Sequence, residues 1–170
     1  MGVSGCGKSR LGEQLAAALG VPFHEGDDYH SAANVATMRA GIALTDSDRV
    51  AWLDRLAGLL RAAAASGQGL VLSCSSLKRS YRDRLRAADP ALRFVHLHGE
   101  RTLLAQRMAA RAGHFMPLSL LDSQLAVLEP LQPDEAGLLL DLRQSPDEQL
   151  AAVLSAAPAP AAASAPPAAR

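Results

Sequence analysis

The chain has 170 residues, of which 49% are hydrophobic, so its length and composition suit one domain with a single core. Seventeen basic and seventeen acidic side chains leave no net charge, which argues against a partner that is a nucleic acid or a membrane surface. There is neither a membrane-span pattern nor a signal-peptide pattern, and Cys6 and Cys74 form neither a disulfide framework nor a zinc motif, so a cytoplasmic location is expected.

Apolar runs alternate with helical patterns along most of the chain. Apolar residues at helical spacing predict helices at 8–19, 46–65, 77–88 and 101–112. Short apolar runs predict buried strands at 20–25, 69–76, 92–99 and 137–142. Thr45 and Asp48 have the spacing of a capping box at the start of the second helix. The alternation predicts an α/β protein with a parallel sheet between two layers of helices.

The two ends of the chain depart from this alternation. Residues 155–170 contain four of the ten prolines and no large apolar side chain, which predicts a disordered tail after a domain at 1–154. Met1 stands directly before a loop that normally follows the central first strand of such a sheet, so that strand is missing from the chain as written. Either the true start lies upstream of Met1, which we favour, or the protein lacks the strand that anchors this loop.

A phosphate-binding loop stands at the start of the chain. Its residues fit the pattern G-x-x-x-x-G-K-[ST] and are Gly2, Val3, Ser4, Gly5, Cys6, Gly7, Lys8 and Ser9. Glycines let backbone N–H groups turn inward around phosphate oxygens, and the helix that follows directs its positive end at the same point. Lys8 is expected to contact the β and γ phosphates of ATP, and Ser9 is expected to ligate Mg²⁺.

Three further segments carry polar side chains at the expected carboxyl ends of strands or next to a predicted lid. The first is EGDDYH at 25–30, the second is SCSSLKRSYRD at 73–83, and the third is GHFMPLSLLDSQ at 113–124. Ligands bind at the carboxyl ends of the strands in parallel sheets, so the first segment should face the phosphate loop.

Together these segments closely resemble the gluconate kinase (gluconokinase) family, and the resemblance runs from Gly2 to about Leu154. It implies the P-loop kinase three-layer fold and the ATP-dependent phosphorylation of D-gluconate on its 6-hydroxyl. It also implies a homodimer. The chain differs from the family pattern at four positions, where Glu25, Ser31, Thr37 and Ser76 replace Asp, Pro, Lys and Ala. The changes at 31 and 37 predict a less rigid and less positive helix over the substrate.

The resemblance also suggests roles for individual residues. Asp27 would orient or deprotonate the acceptor hydroxyl, which is too weak an acid to react unaided, and His30 would hydrogen-bond the sugar chain. A carboxylate substrate needs a fixed cation, and the candidates are Arg49, Lys78 and Arg82. Lys78 and Arg82 are four residues apart on a predicted helix and should share one face. The alternative for His30 is that it is a buried structural histidine. The alternative for Lys78 is that it lies on a solvent-exposed basic face of a helix.

A lid is predicted near 107–118, where a pair of arginines precedes a segment bounded by Gly and Pro. Arg107 and Arg111 would neutralise the transferring phosphoryl group, and His114 would contact the substrate. The alternative for the two arginines is that they only form a solvent-exposed face of a helix. Two other functions stay open at this point. One is a related kinase that phosphorylates another polyol acid such as shikimate, and the other is a nucleotide-binding protein without turnover.

Overall fold

A computed structural model describes residues 1–110 and 118–156 of the chain. Its strands are β1 (Phe23–Glu25), β2 (Val71–Ser73), β3 (Phe94–His98) and β4 (Gly137–Asp141). Its helices are α1 (Lys8–Leu19), α2 (Ala32–Arg39), α3 (Asp46–Ser66), α4 (Arg79–Arg86), α5 (Arg101–Ala109), α6 (Leu118–Val127) and α7 (Pro146–Ala156). All four strands and four of these helices lie where the hydrophobic pattern predicts them.

The strands form two parallel pairs, β1 with β2 and β3 with β4. Within the described residues no ladder joins β2 to β3, and the start of the chain enters the space between them. On the β3 side, the amino group of Met1 donates a hydrogen bond to Val95 O, and Met1 O accepts one from Leu97 N. On the β2 side, Gly2 N donates to Ser75 O at 3.1 Å. Residues 1 and 2 therefore lie where the carboxyl end of a strand between β2 and β3 would lie.

Helices cover both faces of these strands, as the alternation predicts. On one face, Leu11 of α1, Leu104 of α5 and Leu121 of α6 pack with Leu97 of β3. On the other face, the α3 residues Trp52, Leu53, Leu56 and Leu60 pack with Tyr81 and Leu85 of α4 and with Phe94 of β3. Phe94 and Leu97 belong to different clusters because side chains alternate between the faces of a strand.

The space between β2 and β3 continues into the core as an apolar cavity of about 140 Å³, lined in part by Leu60, Leu72, Val95 and Leu97. An apolar space that no side chain fills leaves its lining without dispersion contacts on that side, which is destabilising. None of the described helices is both long and apolar enough to cross a bilayer.

Some elements were not predicted from the pattern. The pattern predicted neither α6 nor α7, nor a 3₁₀ turn at Gly26–Tyr29, which has only four residues and is too short for a helical period to show. Helix α7 continues to Ala156 and so includes the first two residues of the predicted tail, 155 and 156. The rest of that tail, 157–170, lies outside the described residues.

Candidate active site

Glycines give the phosphate loop its shape. Gly2 has φ 134°, and a Cβ there would lie 2.6 Å from Leu97 O. Gly5 has φ 79° and fits against Met108. Gly7 precedes α1 with φ 93°, and no side chain caps the helix at this position. The first turn of α1 therefore presents its N–H groups to the loop, which is the arrangement that binds phosphate.

Lys8 lies over this loop. Its Nζ donates to Val3 O at 3.0 Å, so the ammonium group is held above the backbone of the turn. Burial disfavours the charged form, but the acidic groups of Cys6, Asp27 and Glu25 outweigh that effect and raise the pKa of Lys8. The loop therefore contains a permanent positive charge that is electrostatically coupled to the acidic turn after β1.

The acidic turn is fixed by contacts around Gly26. A Cβ on Gly26 would lie 2.1 Å from Ser73 O, so only glycine allows β1 and β2 to approach this closely. Trp52 Nε1 donates to Gly26 O at 2.7 Å, and Ser73 Oγ donates to Glu25 Oε1. The side chain of Glu25 is therefore held by β2, whereas the side chain of Asp27 is exposed to solvent.

Asp27 is reached by solvent, yet protein atoms surround it on most sides. This partial burial and the nearby carboxylates of Glu25 and Asp28 raise the pKa of Asp27, while Lys8 and Arg49 oppose the shift. A carboxylate with a raised pKa accepts a proton more readily. The carboxylate of Asp27 thus lies within electrostatic range of two cations, Lys8 of the phosphate loop and Arg49 near the start of α3.

His30 stacks on Trp52, with ring centroids 4.3 Å apart and planes at 12°. Burial, followed by the nearby Arg49 and Arg55, lowers the pKa of His30 to about 4, so the ring is neutral at pH 7. A neutral imidazole can both donate and accept a hydrogen bond, as a hydroxylated ligand requires. The stacking role of Trp52 was not foreseen, since a single tryptophan in a helical pattern indicates only core packing.

The helix after His30 is better ordered than its departures from the family pattern predict. Ser31 is the N-cap of α2, and its Oγ accepts a hydrogen bond from Asn34 N at 3.1 Å. Thr37 Oγ1 donates to Ala33 O within the same helix. The expected loss of rigidity on replacing Pro by Ser is therefore offset by a side-chain cap, which typically stabilises a helix by ~1 kcal/mol.

The structure separates the three cations proposed for the substrate carboxylate. Arg49 lies beside a small cavity of about 130 Å³ and within electrostatic range of Asp27 and His30. Lys78 Nζ lies 2.7 Å from Asp46 Oδ1, and Tyr81 donates to the same carboxylate. Lys78 is the N-cap of α4, so its carbonyl accepts a hydrogen bond from Arg82 N at 3.3 Å, but its own backbone is extended and its side chain is paired with Asp46, away from the partners of Arg82.

The assignment of Arg82 to the substrate is wrong. Its side chain is 0% exposed and forms an ion pair with the equally buried Glu135, with Nε 2.6 Å from Oε1. The remaining N–H groups donate to main-chain oxygens, those of Ser76, Leu77, Glu129 and Pro130. Arg82 therefore joins α4 to the segment before β4 and has no surface to offer a ligand.

The predicted lid is described only in part. Arg107 is exposed, and its Nη2 donates to Leu142 O at 2.7 Å, just after β4. Arg111 and His114 lie outside the described residues. Beyond the gap, Gln124 of α6 accepts a hydrogen bond from Ser4 N of the phosphate loop at 2.7 Å. Gln124 ends the segment at 113–124 that resembles the family, but nothing in the spacing of that segment indicated this contact.

Comparisons with known proteins agree with this site. A family model described as an AAA domain matches residues 1–131. The gluconokinase of Gluconobacter oxydans (strain 621H) is 48% identical over 147 residues, which are 86% of this chain and 83% of that protein. The thermosensitive gluconokinase of Escherichia coli (strain K12) is 44% identical over 82% of this chain and 74% of its own length.

The solved structure of a gluconokinase from Sinorhizobium meliloti 1021 superposes with a TM-score of 0.84 at 46% identity, covering 92% of this chain and 87% of that one. Identity at this level over most of both chains, together with the phosphate loop and the acidic turn, confirms the resemblance found in the sequence. The chain belongs to the gluconokinase family of P-loop kinases.

Proposed function

We propose that this protein transfers the γ-phosphoryl group of ATP to the 6-hydroxyl of D-gluconate. One observation carries the proposal: the ammonium group of Lys8 in the phosphate loop and the carboxylate of Asp27 lie within electrostatic range of each other. A phosphoryl donor and an acceptor hydroxyl must meet between such a pair of groups. The gluconokinase relatives, at 44–48% identity, support gluconate rather than another polyol acid as the acceptor.

The residues of the loop fit ATP and Mg²⁺. A Cβ built on Gly7 would meet nothing within 4 Å, so there is room for phosphate oxygens at the start of α1. Backbone N–H groups of residues 2–7 and the Lys8 ammonium would hold the phosphates, and the Ser9 hydroxyl would contribute one ligand to Mg²⁺. No cluster of three or more His, Cys, Asp or Glu side chains suited to a metal occurs among the described residues, so phosphate and water would supply most other ligands. When bound, ATP supplies the phosphoryl group and Mg²⁺ offsets part of its charge.

On the acceptor side, Asp27 orients the hydroxyl and receives its proton, and its raised pKa favours that step. Neutral His30 hydrogen-bonds a hydroxyl of the sugar chain. Arg49 binds the carboxylate because, in the described part of the chain, it has no hydrogen bond or ion pair to a protein group and lies beside the 130 Å³ cavity. Lys78 assists by holding Asp46 at the start of α3 or by turning to the substrate when the cleft is filled.

Arg107 neutralises charge on the transferring group as the lid closes, and Arg111 and His114 act with it from the segment at 107–118. The cytoplasmic location and the homodimer that the resemblance implies remain predictions. Analytical ultracentrifugation of the full chain tests the dimer.

An ADP-release assay with a panel of polyol acids tests the function. Turnover with gluconate well above turnover with shikimate is the expected result, and ATP binding without turnover of any acceptor would support the alternative of a binding protein. Asp27→Asn should lower kcat by about 10²-fold or more, the usual contribution of a general base, with little change in ATP affinity. The matched control is Asp28→Asn, one position along the same turn. A large loss of kcat in the control alone would identify Asp28 as the base.

A further inference from the structure

A contact between distant parts of the chain holds the phosphate loop. Ser4 N donates to Gln124 Oε1 at 2.7 Å across 120 positions of sequence. Ser4 lies inside the turn and is only 9% exposed. A buried backbone N–H that loses its acceptor is destabilising, so this bond favours one conformation of the loop.

The helix that carries Gln124 is itself firmly packed. Leu121, one turn before Gln124, is fully buried in the same cluster as Val3 and Cys6 of the phosphate loop. Just beyond the helix, Glu129 N donates to Leu77 O at 2.8 Å. The shared cluster and the bond to Ser4 therefore tie the position of α6 to that of the loop.

Gln124 also borders a cavity that Arg49 lines. With Met38, Leu44, Arg49 and Ser123 it lines the cavity of about 130 Å³. Arg49 in turn lies within electrostatic range of Asp27. Gln124 thus contacts the phosphate loop and also borders the cavity next to Arg49, the residue proposed to bind the carboxylate of the acceptor.

We propose that Gln124 is a positioning residue that couples acceptor binding to ATP binding through its bond to Ser4. The proposal rests on the proposed function for the identity of the acceptor only. An acceptor that packs against α6 and Arg49 stabilises the position of α6 in which Gln124 holds the loop. Because binding linkage is reciprocal, each ligand then tightens the other by a factor typical of such coupling, roughly 5-fold or more.

Three variants of the full chain test this coupling. Gln124→Leu removes the acceptor atom at similar volume. Gln124→Glu keeps an oxygen for Ser4 N and should preserve that bond. The matched control, Gln68→Leu, makes the same change at an exposed position after α3.

Two measurements distinguish positioning from a general loss of stability. Amide hydrogen exchange reports protection of Ser4 N, and calorimetric titration gives the Kd of a non-hydrolysable ATP analogue with Mg²⁺, with and without saturating gluconate. In Gln124→Leu we expect at least about 10-fold faster exchange at Ser4 and a coupling factor near 1. Gln124→Glu should keep the slow exchange, and Gln68→Leu should match the wild type in both measurements.

Wild-type exchange and wild-type coupling in Gln124→Leu would overturn the proposal, and so would a coupling factor of 1 in the wild type. If Gln124→Leu fails to fold, fast exchange at Ser4 in a folded Gln124→Glu overturns it and slow exchange supports it. A wild-type protein that does not bind gluconate refutes the proposed function instead. In that case, Ser4 exchange and analogue affinity without gluconate still decide whether Gln124 holds the loop.

Discussion

Replacing Arg82 by Met should destabilise the whole domain without acting on the substrate. Arg82 and Glu135 are both 0% exposed, and Arg82 makes two bonds to that carboxylate at 2.6 and 2.8 Å. The replacement leaves Glu135 buried, and among the described residues its remaining cationic partner is Arg86, at 3.1 Å. It also leaves main-chain oxygens such as Glu129 O without the guanidinium donor.

The size of the effect follows from that burial. Removing one partner of a buried ion pair typically costs 3–5 kcal/mol, out of a total domain stability of about 5–15 kcal/mol. With a urea m-value of about 2 kcal/mol/M, the unfolding midpoint should fall by on the order of 2 M. Arg84→Met, on the same helix, is the control. Arg84 is 43% exposed and its partner Asp54 is 54% exposed, so its loss should cost less than about 1 kcal/mol.

Urea unfolding followed by circular dichroism measures both variants, and gluconate KM is measured on the folded fraction. The double variant Arg82→Met with Glu135→Leu should recover much of the lost stability, because no unpaired charge remains buried. A midpoint for Arg82→Met equal to that of the control would refute the structural role. A raised KM for gluconate at unchanged stability would show instead that Arg82 takes part in substrate binding.

Three further predictions concern the loop, a buried histidine and the space between β2 and β3. Lys8→Ala should abolish phosphoryl transfer at a near wild-type urea midpoint, and full activity would remove the loop from the mechanism. Burial, with the nearby chain terminus, His98 and Arg82, lowers the pKa of His96 to about 4, so unfolding takes up a proton below pH 6.5. Stability should therefore fall by up to about 3 kcal/mol as the pH drops from 6.5 to 4, and His96→Leu should flatten this slope in urea titrations at several pH values. Adding four to six β-branched residues before Met1 should raise stability, by ~1.5–3 kcal/mol for each apolar side chain that becomes buried between β2 and β3, and should tighten ATP binding. Equal thermal midpoints and equal ATP Kd values would contradict this.

Elements with local signals could be predicted from the amino-acid sequence. Lys8–Leu19 begins and ends where the pattern predicts, since a glycine flanks it on each side. The capping box of Thr45 and Asp48 is confirmed at the start of α3. The glycine spacing of the phosphate loop indicated its chemistry because only backbone without Cβ can follow that path.

The group that each polar side chain faces could not be predicted in this way, because it depends on how the elements pack in three dimensions. Arg49 and Arg82 are the same residue type beside similar helical patterns, yet one borders a cavity and the other is fully buried against Glu135. Periodicity gives the face of a helix on which a residue lies, but not the segment that covers that face. The bonds from Trp52 to Gly26 and from Ser4 to Gln124 join positions 26 and 120 residues apart. Such contacts depend on how the elements pack, and no local pattern encodes them.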